Sequence, residues 1–506
     1  METINKIKGI LIYPPNQLMD IERPRPDGSL GLLYLAAALE RNGISTDVLD
    51  ASVGTEEQSL DETFFKMVKQ DNGLIKIGMD FKDIADYVAK KGYDFVGINS
   101  NLTPQTKMAF ETAKAIREKN PNIKIYAGGV NSRALRERFL KSGYFDAICL
   151  TEGELIFPRA ILNGYENTSG FAYLDKNKNI KTNPVDESCF VKDLDMLPMP
   201  AWEKLPFEKY DILDSTHGTD TTKDTSQRFA PIMTSRGCIW QCKFCHISTE
   251  KKDIGKLRLH SIDRVIEEIN KLKSLGVKKI YFEDDTLLAK KDRVKEIFRK
   301  IKDEGLIIMN VNGVNLIDFF DKTKENNGKW EIDKEYLQIL KNAGFGQIVF
   351  PLESGSQRIL DKYATGKVRL DKMDVIQLMK TMTDIGINAP VNIIIGFPDE
   401  TEEEIMQSIE LGRKLKENGA PYVSFFLPIP FPGSNLYDIA IENGNLDYNF
   451  DPDIMNWKRP IMKNTLISPE RLIELRDYAN DSINDKDFIA SAVRKTVGFR
   501  WSSNKD

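Results

Sequence analysis

Short runs of apolar, β-branched residues alternate along this chain with longer stretches whose apolar positions recur every three or four residues. The first pattern predicts buried strands and the second amphipathic helices packed against them. In residues 1–165 the strand candidates are 9–13, 46–50, 95–99, 124–127 and 147–150, with helical patterns between them such as 30–40 and 105–117. Strand–helix alternation needs crossover connections, so this part predicts an α/β fold with a doubly wound, Rossmann-like parallel sheet. Residues 54–78 look like an inserted, partly helical excursion.

The alternation resumes further along. Strands are expected near 231–235, 279–283, 307–312, 347–352, 390–395 and 422–427, with helices between them. In the helix over 262–275, Val265, Ile269 and Leu272 share one face. Six strand–helix units fall short of a complete eight-fold barrel and suit an open, partial (β/α)6 barrel. The predicted domains are therefore a sheet domain over 1–165, a connector over 166–228, a partial barrel over 229–436 and a small helical C-terminal region over 437–506. The connector is expected to carry a hairpin (strand 171–174, turn 176–179) and a polar segment, 214–227, that forms a mobile loop. The C-terminal region ends in an aromatic group, Phe499 and Trp501, with no motif.

In a doubly wound sheet, ligands bind beyond the carboxyl ends of the strands. The loops there are rich in small and hydrogen-bonding residues: Pro14-Pro15, then 26–31, then Ser100, Asn101, Leu102 and Thr103, then Gly128 and Gly129, then Thr151, Glu152 and Gly153. Such residues let backbone approach a large flat ligand. No G-x-G-x-x-G follows the first strand, so dinucleotide binding is not indicated.

The 506 residues, 41% hydrophobic and 29% charged, are those of an ordinary globular protein. A net charge of −5 offers no electrostatic attraction to nucleic acid or an anionic membrane. No apolar run approaches the ~20 residues of a membrane span, and the opening Met-Glu-Thr-Ile-Asn-Lys is not a signal peptide. Five cysteines, three of them bunched, argue against a disulfide framework and for a reducing, cytoplasmic setting.

Those three, Cys238, Cys242 and Cys245, form a C-x3-C-x2-C run compact enough for three thiolates to meet one metal centre from a single loop. Iron–sulfur clusters usually take four thiolates and structural zinc also closes with four ligands. Two readings follow: a cluster with one iron left open, or a zinc site completed by His246. Cys149 and Cys189 lie far upstream and suit buried packing positions.

With these motifs in place, the chain resembles the cobalamin-binding-domain radical S-adenosylmethionine (SAM) enzymes, over residues 8–436. Phe244 also fits the family pattern. The resemblance implies a [4Fe–4S] cluster on Cys238, Cys242 and Cys245 whose open iron binds SAM and whose reduction cleaves it to a 5′-deoxyadenosyl radical. It further implies SAM contacts at strand ends: Glu283, Asp284 and Asp285 after the second barrel strand, Glu353 and Ser354 after the fourth, and Asn392 and Gly396 on the fifth. A further turn resembling the family's lies at 427–433. The sheet domain would bind cobalamin through Ser100–Thr103, Gly128, Gly129, Thr151, Glu152 and Gly153. Many such domains place a histidine below cobalt, but the three histidines here are His217, His246 and His260, so the resemblance implies base-off cobalamin. Asn101 and Leu102 are then the residues nearest cobalt. His246 is expected to pack beside the cluster, and His217 and His260 to have no special role.

The family reading implies a methyltransferase acting on an unactivated carbon or phosphinate-like centre of a small molecule, with a flavodoxin or ferredoxin as electron donor. The alternative is a non-methylating cyclase, ring-contracting or oxygen-inserting enzyme with the same cofactors. A metal or cobalamin sensor stands against the SAM motifs, and a tRNA methylthiotransferase would need a second cysteine triplet and a basic RNA-binding module.

Overall fold

The computed structural model describes residues 7–19, 22, 29–213, 227–247, 257–310, 312, 314–456 and 458–486. The chain divides into two compact units: Met1–Ser215 with Asp451–Ile454 and Val493–Asp506, and Thr216–Phe450 with Met455–Ala492.

The first unit is built on a seven-stranded sheet of β1 (Lys8–Tyr13), β2 (Ser45–Asp50), β3 (Phe95–Asn99), β4 (Lys124–Gly128), β5 (Ala147–Cys149), β6 (Phe171–Leu174) and β7 (Ile180–Thr182). Its order is β7-β6-β5-β4-β3-β1-β2. Strands β1 to β5 run parallel, and β6 and β7 add antiparallel. Helices α1 (Leu30–Arg41), α2 (Phe81–Lys91) and α3 (Thr106–Lys119) make crossovers, two short helices at Val130–Ala134 and Arg136–Lys141 make the last one, and α4 (Gly153–Asn163) leads into β6. Strands buried on both faces are continuously apolar, as Ile10, Leu11 and Ile12 illustrate at 0% exposure. The order 2-1-3-4-5 reverses between β1 and β3, which puts the crevice of a doubly wound sheet beyond the ends of those two strands.

Two expectations change. Residues 54–78 form turns and the short strands Val68–Lys69 and Ile75–Ile77, the latter pairing with Asn16–Leu18, and contain no α-helix. The expected hairpin exists, but its first strand pairs with β5 and covers what would otherwise be the edge of the sheet, leaving β7 outermost. The edge of β5 would otherwise expose unpaired backbone groups.

In the second unit six parallel staves succeed one another: β8 (Phe229–Ile232), β9 (Lys279–Phe282), β10 (Ile307–Asn310), a kinked fourth stave β11 (Phe345–Ile348) and β12 (Phe350–Glu353), β13 (Val391–Ile394) and β14 (Val423–Phe426). Several helices between the staves start where a side chain caps them. Ser261 caps α5 (Ile262–Ser274) through the N–H of Arg264, whose Val265, Ile269 and Leu272 are buried as the periodicity predicts. Thr401 and Glu404 form a capping box on α6 (Glu402–Glu417). An antiparallel hairpin, Phe320–Asn326 with Lys329–Ile332, interrupts the third unit and was not expected from the pattern.

The C-terminal region contributes helices Asn435–Glu442 and Pro469–Ile483. Asp451–Ile454 instead belongs to the first unit, where Asp453 accepts hydrogen bonds from Gln17 and from the N–H of Lys107. His217, Phe499 and Trp501, with residues 214–226 and 26–28, lie outside the described residues.

Candidate functional site

Strand alternation decides what lines the barrel. On β13 and β14, Val391, Ile393, Val423 and Phe425 are buried, while Asn392, Ile394, Ser424 and Phe426 are half-buried in register with one another. Successive side chains of a strand point to opposite faces, so the latter four share the face that is less covered. Asn392 thus lies on the open face. Gly396 follows at φ +95°, and a Cβ there would come within 2.7 Å of Leu472, so only glycine fits that turn.

The cysteine loop starts at the end of β8 and is anchored from three sides. Gly237 N–H donates to Asp285 Oδ2 at 2.9 Å. Asp284, 0% exposed, accepts the N–H and hydroxyl of Thr234 and the hydroxyl of Ser235 at 2.5–3.1 Å. The segment after the fourth stave supplies the third side. Tyr363 O accepts Lys243 N–H at 2.8 Å, Thr365 Oγ1 accepts Gln241 N–H at 3.3 Å, and Ala364 O accepts the Cys242 thiol at 3.6 Å. A stack of rings ties this support to the fifth stave: Tyr363 lies on Phe397 at 4.2 Å, and Phe397 is 6.0 Å from Phe244. His246 packs 6.1 Å from the ring of Phe431, and His260 is buried, its carbonyl accepting from Arg293.

Burial pushes the Cys242 thiol up and the Cys245 thiol up to about 12. Cations oppose this, the ammonium of Lys367 among them. Thiols held this way ionise when a metal takes them. Among the described residues no three His, Cys, Asp or Glu side chains converge on one ion-sized point. An iron–sulfur cubane takes each thiolate at a separate corner, which three thiols carried on one loop can supply. The donor set therefore fits a cluster.

The strand-end residues separate into two groups. Asp284 is consumed by Thr234 and Ser235, and Ser354, 0% exposed, pairs with Ser408 and the N–H of Ser356. These two hold the scaffold. Glu283 and Asp285 are half-buried, and burial, with Asp284 adding to it, pushes Asp285 up to about 6. Glu353 sits at φ +67°, a strained conformation for a non-glycine residue, and pairs with Lys367 Nζ at 2.6 Å. Glu400, 0% exposed, accepts the N–H groups of Gly396 and Phe397 at 2.6 and 3.0 Å, and its Oε1 has no partner. Lys367, Glu400, Thr234 and the 363–365 segment carry no motif. For Glu400, a carboxylate four residues beyond a strand-end glycine was the one available signal.

In the first unit, the loops after β3 and β4 meet at the carboxyl edge of the sheet. Ser100 O accepts the N–H of Asn131 and Ser132, and Asn131 Nδ2 donates to the hydroxyls of Ser100 and Thr106. Ser100 and Thr103 are buried, while Asn101 is exposed and Leu102 is 51% exposed. Gly129 has φ +111°, and a Cβ there would strike Asn101 Oδ1 and Ser100 O within 2.5 Å. Asn131 Oδ1 and Thr151 Oγ1 are buried without a partner. A glycine cradle with two orphaned polar atoms fits a large ligand bearing amides. A Cβ at Gly128 would make ordinary contact with Cys149 at 3.9 Å, and Gly153 begins α4 with Glu152 as its N-cap. Cys149 and Cys189 are buried in the core, and burial pushes Cys149 up to about 12.

Two family models match, the Radical SAM superfamily over residues 232–412 and the B12 binding domain over residues 28–161. An uncharacterized methyltransferase of Pyrococcus horikoshii is 31% identical over 85% of this chain and 85% of its own. The cytidylyl-2-hydroxyethylphosphonate methyltransferase of Streptomyces wedmorensis is 26% identical over 100% of this chain and 94% of its own. The radical SAM methyltransferase TsrM of Kitasatospora setae, solved with tryptophan and a SAM analogue, shares the fold at a TM-score of 0.61 and 16% identity, covering 98% of this chain and 89% of that one. The chain belongs to the cobalamin-dependent radical SAM methyltransferases. Its radical SAM domain implies a [4Fe–4S] cluster and SAM, and its B12-binding domain implies cobalamin. No helix among the described residues is long and apolar enough to cross a membrane.

Proposed function

We propose that this enzyme methylates an unactivated carbon of a small molecule, holding its cluster on Cys238, Cys242 and Cys245. The observation that carries the reading is the half-open face of β13 and β14, whose following turn at Phe397 packs within 6.0 Å of Phe244 in the cysteine loop. When bound, the cluster with SAM supplies a carbon radical and cobalamin supplies the methyl group.

The chain's own residues bind, orient and exclude water. Asp285 positions the loop through Gly237 and offers its second oxygen to the methionine ammonium, a charge-assisted contact. Glu353 is offered to the ribose and methionine end. Asn392 and the turn at Gly396 border the adenine. The stacked Phe244, Phe397 and Tyr363 keep water from the cysteines. In the first unit, Gly129 would let a corrin approach and Leu102 would be the side chain nearest cobalt; the absence of any histidine before His217 supports the base-off form.

A small-molecule substrate is supported by the Streptomyces relative, whose name specifies one. The proposal also takes a flavodoxin or ferredoxin as electron donor, and a cytoplasmic setting. Anaerobic incubation with methyl-deuterated SAM, a low-potential reductant and a small-metabolite extract tests it. The expected result is a deuterated product with stoichiometric S-adenosylhomocysteine beside 5′-deoxyadenosine. Deoxyadenosine without S-adenosylhomocysteine would overturn the methyl-transfer reading.

A further inference from the structure

Lys367 is 8% exposed and lies against the cysteine loop. Its Nζ stands 2.6 Å from Glu353 Oε1 and 5.8 Å from the centre of the Phe244 ring. The segment that carries it is the one bracing the loop: Ala364 O accepts both the Cys242 thiol and the N–H of Lys367. Phe244 lies between Cys242 and Cys245 in the chain, so the ammonium stands beside the stretch of loop that carries both.

Two features of this pair are unexplained by folding alone. An ammonium has three protons, and the structure gives this one a single carboxylate partner. A buried ion pair with few further hydrogen bonds is a poor source of stability. The carboxylate that pairs with it is held at φ +67°, a strain that persists where the surroundings enforce it and clusters at functional sites. Glu353 is also the residue offered to SAM above.

We propose that Lys367 is a positioning residue that eases reduction of the cluster, and that Glu353 controls how much of its charge the cysteines feel. With Glu353 paired, the carboxylate cancels much of the ammonium's field. When SAM shares Glu353, that cancellation weakens, and the charge near Cys242 and Cys245 favours the added electron. One electron enters from an external low-potential donor; Lys367 stays protonated and no bond to it forms or breaks. Binding of SAM and acceptance of the electron are thereby coupled through two side chains. The inference rests on the reading that the triplet holds the cluster and that Glu353 contacts SAM.

The test is an anaerobic redox titration followed by electron paramagnetic resonance, on reconstituted wild type, Lys367→Met, Lys367→Arg and Glu353→Gln, each with and without SAM. Removing the positive charge should lower the midpoint potential, and removing the opposing negative charge should raise it. Lys367→Arg should retain the wild-type value. SAM should raise the wild-type potential and have a much smaller effect in Lys367→Met and Glu353→Gln. Shifts of the same sign in Lys367→Met and Glu353→Gln, or no shift in either, would overturn the inference, because loosened packing cannot move the potential in opposite directions. If Lys367→Met fails to hold iron, Glu353→Gln decides alone, and absence of an upward shift overturns the inference. Failure of wild type itself to assemble a cluster would instead sink the cysteine assignment.

Discussion

Asp285 at the end of the second stave accepts the N–H of Gly237, the residue before Cys238, at 2.9 Å. One hydrogen bond thereby joins the carboxylate offered to SAM to the loop offered to iron. Because Asp285 serves both sides, a change there should be felt in cofactor cleavage before it is felt in folding.

We therefore expect Asp285→Ala to keep its iron and weaken SAM cleavage roughly ten- to a hundredfold, the cost of about 1.5–3 kcal/mol for a lost charge-assisted contact. Glu353→Ala should behave alike. Cleavage rates and SAM affinity check both, and wild-type values in either would remove that residue from the site.

Asp284 should fail differently. Its carboxylate satisfies Thr234 N–H, the Thr234 hydroxyl and the Ser235 hydroxyl in a fully buried place. Asp284→Ala strands those donors, and denaturant unfolding should show a loss of about 2–3 kcal/mol. Unchanged stability would mean that water or repacking satisfies them.

Iron and sulfide after anaerobic reconstitution should drop to background when Cys238, Cys242 and Cys245 are all replaced by alanine. They should persist in Cys149→Ala and Cys189→Ala, since both side chains are buried in the core of the first unit. Loss of iron in either core variant would contradict the three-thiolate site.

Leu102 projects from the loop after β3 at 51% exposure, while Ser100 and Thr103 face inward. Wild-type cob(II)alamin should show no nitrogen superhyperfine splitting from an axial ligand. Leu102→His should introduce a triplet from one nitrogen. A triplet already present in wild type, or none in the variant, would move Leu102 away from cobalt.

Glu400 offers a pH test. Burial pushes its carboxyl up to about 8 from 4.5. Between those values the folded chain binds the proton that the unfolded chain has released, so stability falls as pH rises through this window, by up to about 1.4 kcal/mol per pH unit. Glu400→Gln keeps an oxygen for Gly396 and Phe397 and removes the titration. The wild-type curve should therefore fall more steeply than the variant's from about pH 5 to pH 8, and parallel curves would refute the assignment.

Apolar periodicity alone was enough for both α/β units, because strands and helices in a wound sheet bury themselves in the order in which they are made. The parallel strands of the first sheet and the six staves of the barrel lie where the pattern predicts them, within a few residues. The cysteine triplet was legible for a related reason: its three thiols come from one loop, so spacing alone shows that they lie close together. Residues 54–78 misled because short polar strands and helical turns look alike without a long period. Strand-end carboxylates could be found but not sorted. That Asp284 serves Thr234 while Asp285 serves Gly237 depends on which face of a turn each occupies, which adjacent positions in a sequence do not reveal. Lys367 lay beyond reach altogether. Its nearness to Glu353 and Phe244 is created by the helix at Gln357–Tyr363, which folds the chain back on the stave and brings a lysine with no motif of its own against the cysteine loop. Local spacing determines what one loop can bind, and tertiary packing decides which charges surround it.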